Sequence, residues 1–545
     1  MKRTKLFLGT IAIVAIAGGL YVSNNVETVS ERSYYTEELS TERTKEQAWS
    51  QANEYLNSLY VNTLTGKVEP ADYDAAYQQA LTMNNQKAAA FTFEEDGPDN
   101  IGGRTRAIIV DPNDDFTIYA GSVDGGMYKS VNGGNNWNRL RGWDTDVTTM
   151  SVSTVCMTNN GTIYVGTGGG GILGEGSLSG ESSGIQSGDG IWYSVDEGAS
   201  FTQLSGTENK EITRVAADLS ADDVFYYTGS SIGLKKVTSK GTPVSATGIT
   251  ATLSCAGVSV SVDGRVVICA GAGKVYVSRD SGATFVNCMG GSSAVTTPIL
   301  SGGSRMENAV AYDLNENDLY NLYLAKESGG KIHSIWYSED EGENWYEIAP
   351  ASTFGWEPCV SLSGQCYYDM VIDAVPGHPD HCLFGGIDLW RWRKTQGTTA
   401  ADADGQWGRI SNWAANTNSP NYVHADNHRF TWDSNGALYV GNDGGMSKSF
   451  DNTTSFFTVI NKGYNATQFY GIGYGPNGEV IGGAQDNGTK YNDHSSASGK
   501  SYSNAGGGDG FECEISFLSG GEALLRTVYS GYLGRSDSKG DNEQN

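Results

Sequence analysis

One eight-residue pattern recurs along this chain and limits what it can fold into. It reads Ser130-Val131-Asn132-Gly133-Gly134-Asn135-Asn136-Trp137, then Ser194-Val195-Asp196-Glu197-Gly198-Ala199-Ser200-Phe201. It returns as Ser278-Arg279-Asp280-Ser281-Gly282-Ala283-Thr284-Phe285 and as Ser338-Glu339-Asp340-Glu341-Gly342-Glu343-Asn344-Trp345. Ser449 to Phe456 is a degraded fifth copy, and Ser536 to Gly540 a candidate sixth. The mechanics are local. An Asp or Asn folds its side chain over the turn backbone, glycine takes a positive φ, and the aromatic packs beneath. Asn132, Asp196, Asp280 and Asp340 are therefore read as structural residues.

The stretch before each turn is equally regular. The first copy runs Arg106-Ala107-Ile108-Ile109-Val110, Asp111-Pro112-Asn113, Ile118-Tyr119-Ala120-Gly121 and Gly126-Met127-Tyr128-Lys129-Ser130. Apolar strands alternate with polar turns, and the last strand ends on the serine that opens the pattern. Such a unit cannot bury its faces alone, so copies must stack. Seventy-three glycines against eleven prolines suit a turn-dense, all-β chain and not a helical bundle.

The pattern resembles the Asp-box (BNR) repeat of sialidases, xyloglucanases and sortilin-type receptors. That resemblance implies a β-propeller of four-stranded blades, with the turns at the rim and the working face at the opposite end. Stretches without the pattern fill the gaps: Glu211 to Val237, Tyr367 to Arg393, Phe469 to Tyr491, and a last one from Phe511. The repeat reading yields about nine blade-like units, as one large ring or as a seven-bladed ring plus a partial second. The strings Asn100 to Arg106, His424 to His428 and Gly483 to Thr489 are similar to those of large secreted sortilin/BNR-like bacterial proteins exported by a type IX route. The chain stops at Asn545 directly after a turn, so either the C-terminus is truncated or an N-terminal strand completes the last blade.

Three segments follow. Residues 1–22 carry Lys2, Arg3 and Lys5 before an apolar run from Leu6, with Ala15 and Ala17 at a plausible cleavage site, and read as a signal peptide or anchor. Residues 23–92 include helical spacing through Trp49, Ala52, Tyr55 and Leu56, and again through Tyr73, Tyr77 and Leu81, so a helical N-terminal segment is expected. Residues 93–545 form the propeller. The chain is thus placed outside the cell or at its surface. Thirty-six basic against 63 acidic residues give a net charge of −27, which leaves no basic surplus for nucleic acid. No membrane contact is expected beyond the first segment. The cysteines suit an oxidising compartment, and Cys359–Cys366 and Cys255–Cys269 are expected disulfides.

Chemistry is sought where innermost strands begin. Those positions offer Arg104, Arg106, Asp369, His424, Asp426, His428, Gln485, Asp486, Asp509 and Glu512 as ligand-binding residues. His424, Asp426 and His428 alternate, so on an extended strand they share a face and could hold a divalent cation, the candidate cofactor. Asp124 and Asp443 lie in Val123-Asp124-Gly125-Gly126-Met127 and Asn442-Asp443-Gly444-Gly445-Met446. These strings resemble those that carry the acid and base of xyloglucanase-type propellers, with one intervening residue missing. Inverting hydrolysis would need the two carboxyl groups roughly 6.5–9.5 Å apart. The Gly168–Gly190 stretch, inserted inside a blade, reads as a lid or binding loop. The expected partner is an extracellular polysaccharide or protein. Binding or scaffolding is the leading reading, and glycoside hydrolysis on the same face is the alternative.

Overall fold

The computed structural model describes residues 94–537, apart from 169–187, 291, 351–358, 360–363, 396–404, 451–455, 518–522 and 529–531. Ala75 and Gln79 are also described, and both are helical. The signal or anchor segment, the rest of the helical segment and most of the Gly168–Gly190 loop lie outside the described residues. Among those described, no helix is long and apolar enough to cross a membrane.

Eight four-stranded sheets and one three-stranded sheet succeed each other along the chain, every strand pairing antiparallel with its sequence neighbour. In the first, Ile108 lies opposite Ala120, Ala120 opposite Tyr128, and Tyr128 opposite Arg139. Each sheet is one blade. The first seven innermost strands are Thr105–Asp111, Val152–Met157, Ile212–Ala217, Gly257–Val260, Met306–Leu314, Val371–Val375 and Asn427–Trp432. Each packs on the next, and Asn427–Trp432 packs back on Thr105–Asp111. The ring therefore closes at seven blades. Its seam is apolar: Ile108, Ile118, Ala120 and Trp137 of the first blade pack with Tyr439, Met446, Ile460 and Tyr464. Each large buried side chain there contributes about 1.5–3 kcal/mol.

The last two sheets stand beside the ring. Their innermost strands, Phe469–Tyr474 and Gly510–Ile515, pack on each other. A strap from Asp99 to Arg104 ties them to the ring. Asp99 N–H donates to Lys500 O at 3.0 Å, and Asn100 Nδ2 to Tyr502 O at 3.0 Å. Of the two arrangements open from sequence, the structure has the seven-bladed ring with a partial second.

The glycine next to the end of the second strand in the first two blades has a packing reason. A Cβ on Gly121 would fall 2.2 Å from Val152 Cγ1, and one on Gly166 2.6 Å from Ile212 Cγ2. Both neighbours belong to the next blade's innermost strand.

The four clear turns share one set of bonds. Ser194 Oγ donates to Asp196 Oδ1 at 2.7 Å and accepts from Gly198 N–H at 2.8 Å, while Ser200 N–H donates to Asp196 Oδ1 at 2.9 Å. The corresponding bonds recur at Ser130–Asn136, Ser278–Thr284 and Ser338–Asn344. Gly134, Gly198, Gly282 and Gly342 have φ between 78° and 89°.

One expected disulfide is present, joining Cys359 and Cys366. The other is not formed. Cys255 and Cys269 are buried free thiols, with Cys269 Sγ 3.4 Å from Cys255 Sγ.

Candidate functional site

The mouth of the ring lies where the innermost strands start, and the charges expected there converge. Arg104, just before the first innermost strand, is the hub. Its Nε donates to Asp443 Oδ1 at 3.2 Å and its Nη2 to Asp486 Oδ2 at 3.0 Å. Asp443, 1% exposed, also accepts from His428 Nε2 at 2.6 Å and from Tyr368 Oη at 2.5 Å. The guanidiniums of Arg104 and Arg106 lie 5.0 and 5.1 Å from the Tyr368 ring centroid, a cation–π arrangement. Tyr368 meets His428 edge-on at 4.9 Å.

Burial alone would push the Asp443 carboxyl up. Arg104 and the donors at His428 and Tyr368 outweigh it and hold the group well below the usual carboxylate range. Burial and the nearby Arg106 push His428 down to about 4, so its imidazole is neutral and donates through Nε2–H.

A second carboxyl pair behaves oppositely. Gln365 Nε2 bridges Asp369 Oδ2 at 3.2 Å and Asp426 Oδ1 at 2.7 Å. Burial raises both carboxyls well above the usual range, and the charges of Asp369, Asp443 and Asp486 raise Asp426 further. The two carboxyls interact with each other, an interaction that raises Asp426 and lowers Asp369. Gln365 is positioned by the neighbouring disulfide loop, where its N–H donates to Cys359 O at 2.9 Å.

Asp509 completes the mouth, accepting from Asp486 N–H at 2.8 Å. Burial also raises its carboxyl. His424 faces Ala425 O and Asp486 O, each at 3.2 Å, and burial lowers its pKa.

The His-Asp-His alternation is not realised. The innermost strand starts at Asn427, and Asp426 takes a left-handed φ of 63°. A turn separates His424 from His428, and each imidazole is committed to other partners. Among the described residues, the set with cation-binding geometry is instead Asp426, Asp443 and Asp486, whose oxygens lie within 4.8 Å of one another. Arg104 already supplies positive charge to two of the three.

Asp124 sits beside the mouth, exposed, and accepts from Gln468 Nε2 at 2.6 Å. Val123 N–H donates to Arg104 O at 3.0 Å, which fixes this loop next to the hub. Asp443, in contrast, is enclosed. Gln485 is 5% exposed, and its N–H donates to Gln468 O at 3.0 Å. Glu512 is exposed on the innermost strand of the last sheet. Sequence reasoning missed Tyr368, Gln365 and the buried Arg214–Glu307–Arg305 network. Of these, Gln365 carried a usable signal, its place next to a paired cysteine.

No protein-family model matches the chain, and no curated protein matches it. Similar solved structures are propellers. An ancestral GH74 enzyme is 16% identical with a TM-score of 0.57, covering 84% of this chain and 63% of that one. The GH74 xyloglucanase from Xanthomonas campestris is 13% identical, with a TM-score of 0.47, 83% of this chain covered and 74% of the other. A GH74 enzyme from Niastella koreensis is 14% identical, with a TM-score of 0.28 and coverage of 79% and 82%. The chain thus spans under two thirds of the ancestral enzyme's length. At such identity the likeness is one of fold, and the fold it shows is the β-propeller.

Proposed function

We propose that this chain is an exported Asp-box β-propeller that binds a neutral extracellular glycan at the channel mouth. The observation that carries this reading is a set of partly exposed polar groups on one surface: His424, Asp426, Asp486 and Asp509, drawn from three blades. Carboxylates and imidazoles suit vicinal hydroxyl groups, accepting and donating hydrogen bonds at short range. The acidic mouth and the net charge of −27 select against polyanions. Export rests on the basic and apolar residues at the start of the chain, and the Asp-box assignment on the four turns with shared bonding.

A second reading, glycoside hydrolysis, is favoured by one specific feature. Burial and the neighbouring carboxylates push Asp426 well above the ordinary carboxylate range, while Asp486 is ion-paired with Arg104. Neighbouring carboxyls with separated protonation states suit acid and base roles. Here the pair suggested by sequence is revised, because Asp443 is too enclosed to touch a substrate. Asp426 would act as acid and Asp486 as its partner, and facing oxygens within 4.8 Å of each other suit the roughly 5–5.5 Å spacing of retaining hydrolysis better than the inverting one.

A panel of neutral and acidic polysaccharides tests both readings. Retention of the protein on a neutral glycan, lost in Asp486→Ala, is the expected result. Release of reducing ends over many turnovers would establish hydrolysis. Absence of retention on every glycan would reject the reading.

A further inference from the structure

Arg104 serves only two of the four carboxyls that meet at the mouth. Its guanidinium pairs with Asp443 and Asp486, at 3.2 and 3.0 Å. Asp369 and Asp426 share one neutral donor instead, the Gln365 amide, at 3.2 and 2.7 Å. Apart from one another, no other residue among those described donates to either side-chain carboxyl. Arg305, whose field reaches Asp369, is committed elsewhere. It pairs with Glu307 at 2.9 Å and donates to the carbonyls of Tyr367, Tyr368 and Met370 at 2.7–2.9 Å.

Asp369 supplies an independent observation. It is 0% exposed, and its Oδ1 has no hydrogen-bond partner among the described residues. Its Oδ2 meets the same amide nitrogen as Asp426 Oδ1, so the unpartnered oxygen belongs to a carboxyl set against the cluster. A buried carboxylate without a donor or counter-charge is costly.

The spacing of the cluster suits one ion. Asp426, Asp443 and Asp486 each offer an oxygen within 4.8 Å of the others. Two oxygens on one calcium ion, each at about 2.3–2.6 Å, lie at most about 4.6–5.2 Å apart. Magnesium holds its ligands at about 2.0–2.1 Å, so its ligands span about 4.2 Å at most. Every ligand here is an oxygen, which suits a hard cation better than zinc. Asp443 keeps a lone pair for the ion, since its Oδ2 takes a single donor, Tyr368 Oη. Asp426 and Asp486 are partly exposed, so the ion and its waters enter from the mouth.

We propose that the mouth is a calcium site, with Asp426, Asp443 and Asp486 as its carboxylate ligands and Asp369 adjoining Asp426. The double charge of the ion matches the two carboxylates that Arg104 does not serve. The net charge of −27 favours capture of a cation. A bound ion holds Asp426 ionised, so calcium there and acid catalysis by Asp426 exclude each other. The site does not rest on the glycan reading, and either can fail alone.

Calorimetry of the full chain, stripped with chelator and titrated with calcium or magnesium chloride, tests it for wild type, Asp426→Asn and Asp280→Asn. Wild type should bind a single calcium ion per chain, more tightly than magnesium. Asp426→Asn should weaken calcium binding by about tenfold or more, and the rim variant Asp280→Asn should leave it unchanged. No saturable binding at about 10 mM calcium, above the weakest extracellular sites at about 1 mM, would overturn it. So would equal affinities in wild type and Asp426→Asn. Should Asp426→Asn not fold, terbium soaked into wild-type crystals decides: an anomalous peak touching Asp426 and Asp486 supports the site, and none at saturating terbium rejects it.

Discussion

The rim turns and the channel mouth both depend on aspartates, but their carboxylates find donors at very different distances along the chain. Asp280 is satisfied within four residues, by Ser278 Oγ, Thr284 N–H and Thr284 Oγ1. Asp443 draws on Arg104 from 339 residues away, on Tyr368 from 75 and on His428 from 15. The first kind of site exists as soon as its turn forms. The second exists only once the ring has closed, which is what gives Asp443 its buried partners. A rim aspartate is therefore a local staple, whereas a mouth aspartate is tied to the whole fold.

The strongest test of that contrast removes Asp443. Asp443→Ala leaves Arg104 and His428 buried without their carboxylate, and should cost about 3–5 kcal/mol. Urea unfolding measures it, and a cost near that of a rim substitution would break the distinction.

Cys366→Ser should rank second. Opening the loop between Cys359 and Cys366, seven residues apart in sequence, should cost about 2–3 kcal/mol by loop entropy. It should also weaken glycan retention, because Gln365 bridges Asp369 and Asp426 from that loop. Retention unchanged in the folded variant would remove Gln365 from the site.

Asp280→Ala should cost about 1–2 kcal/mol, the net worth of its few exposed hydrogen bonds, with retention unaltered. Lost retention at unaltered stability would place the rim on the working face instead.

The smallest effects are opposite pH slopes. Hydrogen bonds from Ser200 and Ser194 lower Asp196 to about 2. Its stabilisation is present above the ordinary carboxylate value of about 4 and fades as pH falls toward 2. Asp369 and Asp426 are raised, so their contribution is complete below about pH 4 and is lost as pH rises through their folded values. In thermal melts across pH, Asp426→Asn should lessen the alkaline loss and Asp196→Asn the acid loss. Parallel slopes in both variants would mean the two regions titrate alike.

Much of the mouth was legible because innermost strands begin at readable places. Arg104, Asp369, Asp426, His428, Asp486 and Asp509 do meet. The His-Asp-His face was misjudged because alternation was extended one turn too far. Asp426 adopts a left-handed backbone, and the strand opens only at Asn427. Tyr368 gave no sign of its role, since a tyrosine beside an aspartate is equally a core residue. Asp443 looked like a reactive carboxylate and is a clamp. That difference lies entirely in which groups surround it.

The sequence by itself determined the local units: turns whose serine, aspartate and glycine bond within a few residues, apolar strands between them, and glycines where the next blade presses close. Those interactions are short in range, so the residues that make them are neighbours in the text. Blade number, ring closure and the pairing of buried charges were decided by the tertiary structure alone. The seam between Ile108, Trp137, Tyr439 and Tyr464 is ordinary apolar surface until the first and seventh blades meet. Only that meeting brings Arg104 to Asp443.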